Sequence, residues 1–176
     1  MINIFNEKNQ KGFSLIEVIV AVFVFSIVSI LISGVIVSSI RIQRRSLNIQ
    51  KAEENSRFVL ESMAREIRVA DSIAGPDNDC SVSPSESLSF NHPVNGSIRY
   101  YLGEDEAIHK EVDGQDSILT SSKVRVTKFY FCTKGTLGDD GLQPKVTVVL
   151  SIEAGISPDT ETIESQITLS QRRLSD

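Results

Sequence analysis

The chain has 176 residues, enough for one domain core and too few for two. It carries 23 acidic against 18 basic side chains, a formal net charge of −5, with 40% apolar residues. Positions 71–176 alone hold 17 acidic and 9 basic residues, so the bulk of the chain lacks the positive surface that phosphate binding needs, which argues against nucleic acid as a partner.

Residues 1–12 form a short leader of charge +1, from Glu7, Lys8 and Lys11. From Phe13 to Ile40 the chain is apolar over 28 residues, broken by one charge, Glu17. A helix needs about 20 apolar residues to cross a bilayer, and Val18–Ile40 supplies 23. A secretory signal peptide has only about 7–15 apolar residues before its cleavage site. The pair Ser38-Ser39 mimics such a site, but the run is too long for it. A plain membrane anchor fits the length and leaves Glu17 unexplained, because a carboxylate near the centre of such a helix costs on the order of 3 kcal/mol. The spacings Ser29-xxx-Ser33 and Gly34-xxx-Ser38 would let a second helix approach closely, although small residues are common in membrane helices. Arg41, Arg44 and Arg45 follow the segment, and charge counting alone would put its C-terminal side in the cytoplasm.

No Gly or Pro occurs from Arg41 to Ala70, and Ile42, Ile49, Ala52, Val59, Met63, Ile67 and Ala70 recur at helical spacing. Arg44, Arg45, Lys51, Glu54, Arg65 and Arg68 take the opposite face. The pattern predicts one continuous helix from Phe13 to about Asp71, roughly 88 Å at 1.5 Å per residue, ended by Ala74-Gly75-Pro76. Beyond a polar loop at 78–87, the period becomes that of strands. Candidate strands are Leu88–Phe90, Ile98–Leu102, Ala107–Val112, Ser117–Thr120, Val124–Cys132, Lys145–Ile152 and Ile163–Leu169. Turn residues separate them at Asn95-Gly96, Gly103, Asp113-Gly114, Gly138 and Gly141. The fold class is therefore α+β: one long N-terminal helix, with a membrane half (13–40) and an amphipathic half (41–71), packed on a C-terminal antiparallel β-sheet in a globular region, 72–176.

The residues Lys11-Gly12-Phe13-Ser14-Leu15-Ile16-Glu17 at the head of the apolar run resemble the N-terminal signal of type IV prepilins and type II secretion pseudopilins. The resemblance covers about 30 residues, and beyond them it is one of architecture. It implies that Lys8 and Lys11 hold the leader in the cytoplasm, and that prepilin peptidase cleaves between Gly12 and Phe13 and methylates the new amine of Phe13. It further implies that Glu17 pairs with that amine on a neighbouring subunit during filament assembly. The mature chain would then span Phe13 to Asp176. Implied partners are other pilin or pseudopilin subunits, the peptidase and an inner-membrane assembly platform. The implied location is the cytoplasmic membrane, with the C-terminal region outside the cytoplasm, against the charge count. Many major pilins carry a Pro in the membrane helix, whereas none occurs here before Pro76. The long strand region and the run from Arg57 to Arg68 look most like a larger minor subunit of the J-type pseudopilin or W-type minor pilin.

Cys80 and Cys132 both lie in the polar part. If it faces an oxidising compartment they form one disulfide, which closes a loop worth roughly 4 kcal/mol in the chain-entropy model. Two unpaired buried thiols are the alternative. Little here suggests catalysis. His92 and His109 are the only histidines, both read as solvated surface residues, and no nucleophile elbow, paired-histidine zinc motif or phosphate loop occurs. No cofactor is expected. Acidic turns at Asp77-Asn78-Asp79, Glu104-Asp105-Glu106, Asp113–Asp116 and Asp139-Asp140 offer oxygens of the kind calcium takes, without a complete ligand spacing. The expected function is that of a structural, non-enzymatic filament subunit. The alternative is a membrane-anchored extracytoplasmic binding protein for adhesion or substrate capture, with an exported anchored hydrolase behind both.

Overall fold

The computed structural model describes residues 12–74, 77–78, 80, 82–136, 143–157 and 159–172. Among the described residues a single helix, α1 (Leu15–Arg68), runs without a break, with no Pro and Gly34 as its one Gly. The chain forms two compact units, 1–43 and 44–176, and the helix contributes to both. The backbone carbonyl of Ser14 starts it by accepting from the amides of Glu17 at 3.0 Å and Val18 at 3.2 Å.

In the second unit α1 buries Ala52, Ser56, Val59, Met63 and Ile67, a stripe in steps of three and four. Three positions differ from the expected stripe, one of them Ile49, which is only half-buried. Ile42 is exposed, and Ser56 is buried because its hydroxyl meets that of Ser165 at 2.9 Å, which satisfies both. The helix also stops at Arg68, short of Asp71. The chain turns there because the amide of Asp71 already bonds Asn91 O at 2.9 Å, on the way into a short strand, β1 (Ser72–Ala74), that the periodicity did not reveal. The freed carbonyls at the helix end are met by the far end of the chain. Arg172 N donates to Arg68 O, and Gln171 Nε2 to Ala70 O and Asp71 O.

Seven further strands follow: β2 (Ser87–His92), β3 (Gly96–Leu102), β4 (Ile108–Val112), β5 (Gln115–Ile118), β6 (Val124–Lys134), β7 (Lys145–Ile156) and β8 (Asp159–Ser170). Each overlaps a predicted strand, but they form two antiparallel sheets, β1-β2-β3-β4-β5 and β6-β7-β8. The β4–β5 hairpin turns on Asp113 and Gly114, both at positive φ, as a two-residue hairpin requires. The sheets meet where Ser85 and Phe131 exchange backbone bonds at 2.9 and 2.8 Å, and where Val126 N reaches Glu106 O at 2.8 Å. Phe90, Ile98 and Tyr100 from one sheet share a core with Phe131, Val148 and Leu150 from the other and with the helix stripe. Below the aromatic layer, Glu66 of α1 accepts from Tyr100 Oη and pairs with Lys110 Nζ at 2.5 Å, so helix and five-stranded sheet share a half-buried charged contact.

Candidate functional site

Gly12, Phe13 and Ser14 precede α1 and are not helical. Gly12 has no backbone angle that demands glycine, and a Cβ there would meet nothing within 4 Å. Nothing in the chain's own packing calls for Gly at this position. Phe13 is 81% exposed. One turn later Glu17 stands in the first turn of α1, where the positive end of the helix dipole favours a carboxylate. Among the described residues its carboxylate has no hydrogen-bond or ion-pair partner.

The apolar stretch behind Glu17 has a mean hydropathy of 3.0 and none of it is buried within the chain. From Leu15 to Ile40 a helix covers about 39 Å, more than the roughly 30 Å of a bilayer's hydrocarbon core. Three of its five serine hydroxyls are satisfied internally. Ser26, Ser29 and Ser33 each donate to the carbonyl four residues back, at 2.8 Å. Hydroxyls turned onto their own helix carry little penalty in lipid. In water, by contrast, so long an exposed apolar face would be unsustainable. The N-terminal segment is thus a membrane anchor with a lone carboxylate at its head.

Cys80 and Cys132 are bonded to each other, with Cα atoms 5.3 Å apart. The same connection is stitched by two side chains. Asp77 accepts from the amides of Gly135 and Thr136, both at 3.0 Å, and Asn78 Oδ1 accepts from Thr133 N at 2.5 Å. The Thr136 amide, seconded by that of Gly135, holds the Asp77 carboxyl below its usual range. Lys8 and Lys11 lie outside the described residues, as do Gly138, Gly141, Asp79, Asp139 and Asp140 of the predicted turns.

The histidines are less ordinary than the sequence suggested. His92 Nδ1 accepts from the amides of Val94 at 3.2 Å and Asn95 at 3.1 Å and so closes the β2–β3 turn. His109, with its side chain only 14% exposed, contacts Asp116 at 2.6 Å through Nδ1 and Asp105 at 3.0 Å through Nε2. Its ring stacks on Tyr101 at 5.3 Å. An imidazole can donate from both nitrogens only as the cation. Burial works against that charge, but the bonds to Asp116 and Asp105 outweigh it and raise the pKa of His109. The same bonds lower those of Asp105 and Asp116. This cluster was missed because its members come from the β3–β4 turn, β4 and β5. The two-residue turn at Asp113-Gly114, which pairs Glu111 with Asp116, was the signal for it. Of the acidic turn residues considered for calcium, Asp77, Asp105, Asp113 and Asp116 are each engaged with groups of the protein.

Residues 8–33 match the family model described as "Prokaryotic N-terminal methylation motif". The match spans the end of the leader, Gly12, Phe13, Glu17 and the first half of the apolar helix. Comparison with curated proteins and with solved structures gave no match.

Proposed function

We propose, from the premise that this chain carries the N-terminal methylation motif of type IV prepilins and pseudopilins, that it is a minor filament subunit cut between Gly12 and Phe13 and methylated on Phe13. The observation that carries the reading is Glu17. It is a carboxylate with no partner among the described residues, one turn behind Phe13 at the head of an apolar helix whose large side chains are exposed. Cleavage would turn the Phe13 nitrogen into an amine. When subunits pack, that amine leaves water, and the Glu17 of a neighbour is the group that can neutralise it. Each charge offsets the other's desolvation, which lipid could not do. The open space around Gly12 suits a peptidase that must reach the backbone on both sides of the scissile bond.

On this reading the globular region lies outside the cytoplasmic membrane, where the Cys80–Cys132 bond survives. Lys8 and Lys11 keep the leader inside, an assembly platform in the inner membrane gathers subunits, and the chain's role is structural and non-catalytic without a cofactor. The size of the two-sheet region and its disulfide favour a minor subunit resembling the J and W types.

Mass spectrometry of the protein from its native membrane is expected to find methylated Phe13 at the N-terminus. An intact leader in cells with active peptidase, or cleavage near Ser39, would refute the reading. Glu17→Ala is expected to leave membrane insertion and the Cys80–Cys132 bond intact while impairing co-purification of sibling subunits, because an unpaired buried amine costs about 3–5 kcal/mol. Undiminished co-purification would remove the pairing role.

A further inference from the structure

Four strands lie at sheet edges, and three of them are protected. β1 has 3 residues and β5 has 4, too short to template another strand. β6 carries an irregularity between Val126 and Lys128, and its outer side meets the other sheet through Phe131 and Val126. The fourth edge, β8, differs in every respect. It runs for 12 residues in unbroken register with β7, with no bulge, Pro or Lys. Among the described residues, no backbone group from Thr160 to Ser170 bonds to anything but β7. Two of the three carboxylates on the strand are neutralised within the chain, Glu161 by Arg45 and Glu164 by Lys128, each at 2.7 Å.

Beside this edge, between β8 and α1, lies a groove of about 780 Å³. Leu60 and Ala64 of the helix and Ile163 and Ile167 of the strand give it an apolar floor, all four half-buried against the core. Arg57 and Glu61 stand on its rim, neither in an ion pair among the described residues. We propose that β8 is a strand-addition site that receives an extended segment of a neighbouring pilin-type subunit, with apolar residues at alternate positions of that segment filling the groove. This inference rests on the filament reading above. The row of unpaired amides and carbonyls selects another backbone in the extended conformation, since a helix has none to offer. The period of two that places Ile163 and Ile167 on one face sets the pattern expected of the occupant. A filament holds neighbours side by side at high effective concentration, so an edge contact too weak for free peptides becomes populated there.

The test places a photo-crosslinking amino acid at Gln166, which is exposed on β8, and as a control at Glu104, exposed on the far sheet, in the full chain expressed with its peptidase and sibling subunits. Irradiation of wild-type background is expected to link Gln166, and not Glu104, to a strand segment of another pilin-type subunit. Adding Lys to the edge as Thr162→Lys is expected to cut that adduct by about ten-fold. The melting temperature of this variant should hold, because Thr162 is exposed. Equal adducts from both positions, an adduct only to proteins without the prepilin N-terminus, no adduct, or an adduct that Thr162→Lys leaves unchanged would each overturn the site. If siblings still co-purify in a Glu17-dependent way in those cases, the filament reading survives alone. If the unsubstituted chain retains its leader and brings down no sibling, the filament reading fails and takes the site with it.

Discussion

Two stretches of one helix, 15–40 and 52–67, solve opposite problems with the same backbone. The first exposes every large side chain it has, from Leu15 at 78% to Ile40 at 44%, and folds three of its serine hydroxyls back on itself. The second buries Ala52, Val59, Met63 and Ile67 completely and gives its charges to water, except Glu66, which pairs with Lys110 and Tyr100. Helical geometry is common to both, so it explains neither. What differs is the surroundings: the second stretch packs on its own sheets, and the first is exposed along its length among the described residues. An apolar helix so exposed draws its stability from lipid or from other subunits. A substitution there should therefore register in insertion or assembly rather than in the unfolding of the globular region.

The sharpest way to break that contrast is a matched pair of truncations. Met63→Ala removes a fully buried side chain and is expected to destabilise the globular region by about 2–5 kcal/mol. Leu31→Ala, at 65% exposure, should leave its unfolding within about 0.5 kcal/mol of the parent. Denaturant unfolding of the full chain in detergent measures both, and equal losses would abolish the distinction between the halves. Next in size is the disulfide. Replacing Cys80 and Cys132 with Ser is expected to cost up to roughly 4 kcal/mol, mostly by freeing the unfolded chain. The bonds from Asp77 and Asn78 should keep these two residues at the end of β6, which retained amide protection at Gly135 and Thr136 would reveal.

The smallest effect is one of pH, and it arises in the globular region, where His109 sits between Asp105 and Asp116. The folded-state pKa of His109 is raised, so its contribution is complete below the unfolded value of about 6.5 and is lost as pH rises through the folded value. Those of Asp105 and Asp116 are lowered, so their contribution is present above about 3.8 and is lost as pH falls through the folded values. The cluster therefore stabilises most between roughly pH 4 and 6.5. The melting temperature is expected to fall on either side of that window, and less so in His109→Gln. A ring titration of His109 by NMR below 6.5 would contradict the raised value.

How much of this could be read in advance depends on the range of the forces involved. The sequence by itself determined the membrane segment, the lone Glu17 after Gly12-Phe13, the continuity of the helix and the position of nearly every strand, because hydrophobic period and turn chemistry act over a few neighbours. Only the tertiary structure decided that the strands divide into two sheets, that β8 is left as an open edge, and that Ser56 enters the helix stripe while Ile42 leaves it. It alone brought Glu66 to Lys110 and Tyr100, and closed Asp105 and Asp116 on His109. These are contacts between groups distant in the chain. Their energies depend on which surfaces meet, and a single strand or turn carries no record of the partner it will meet.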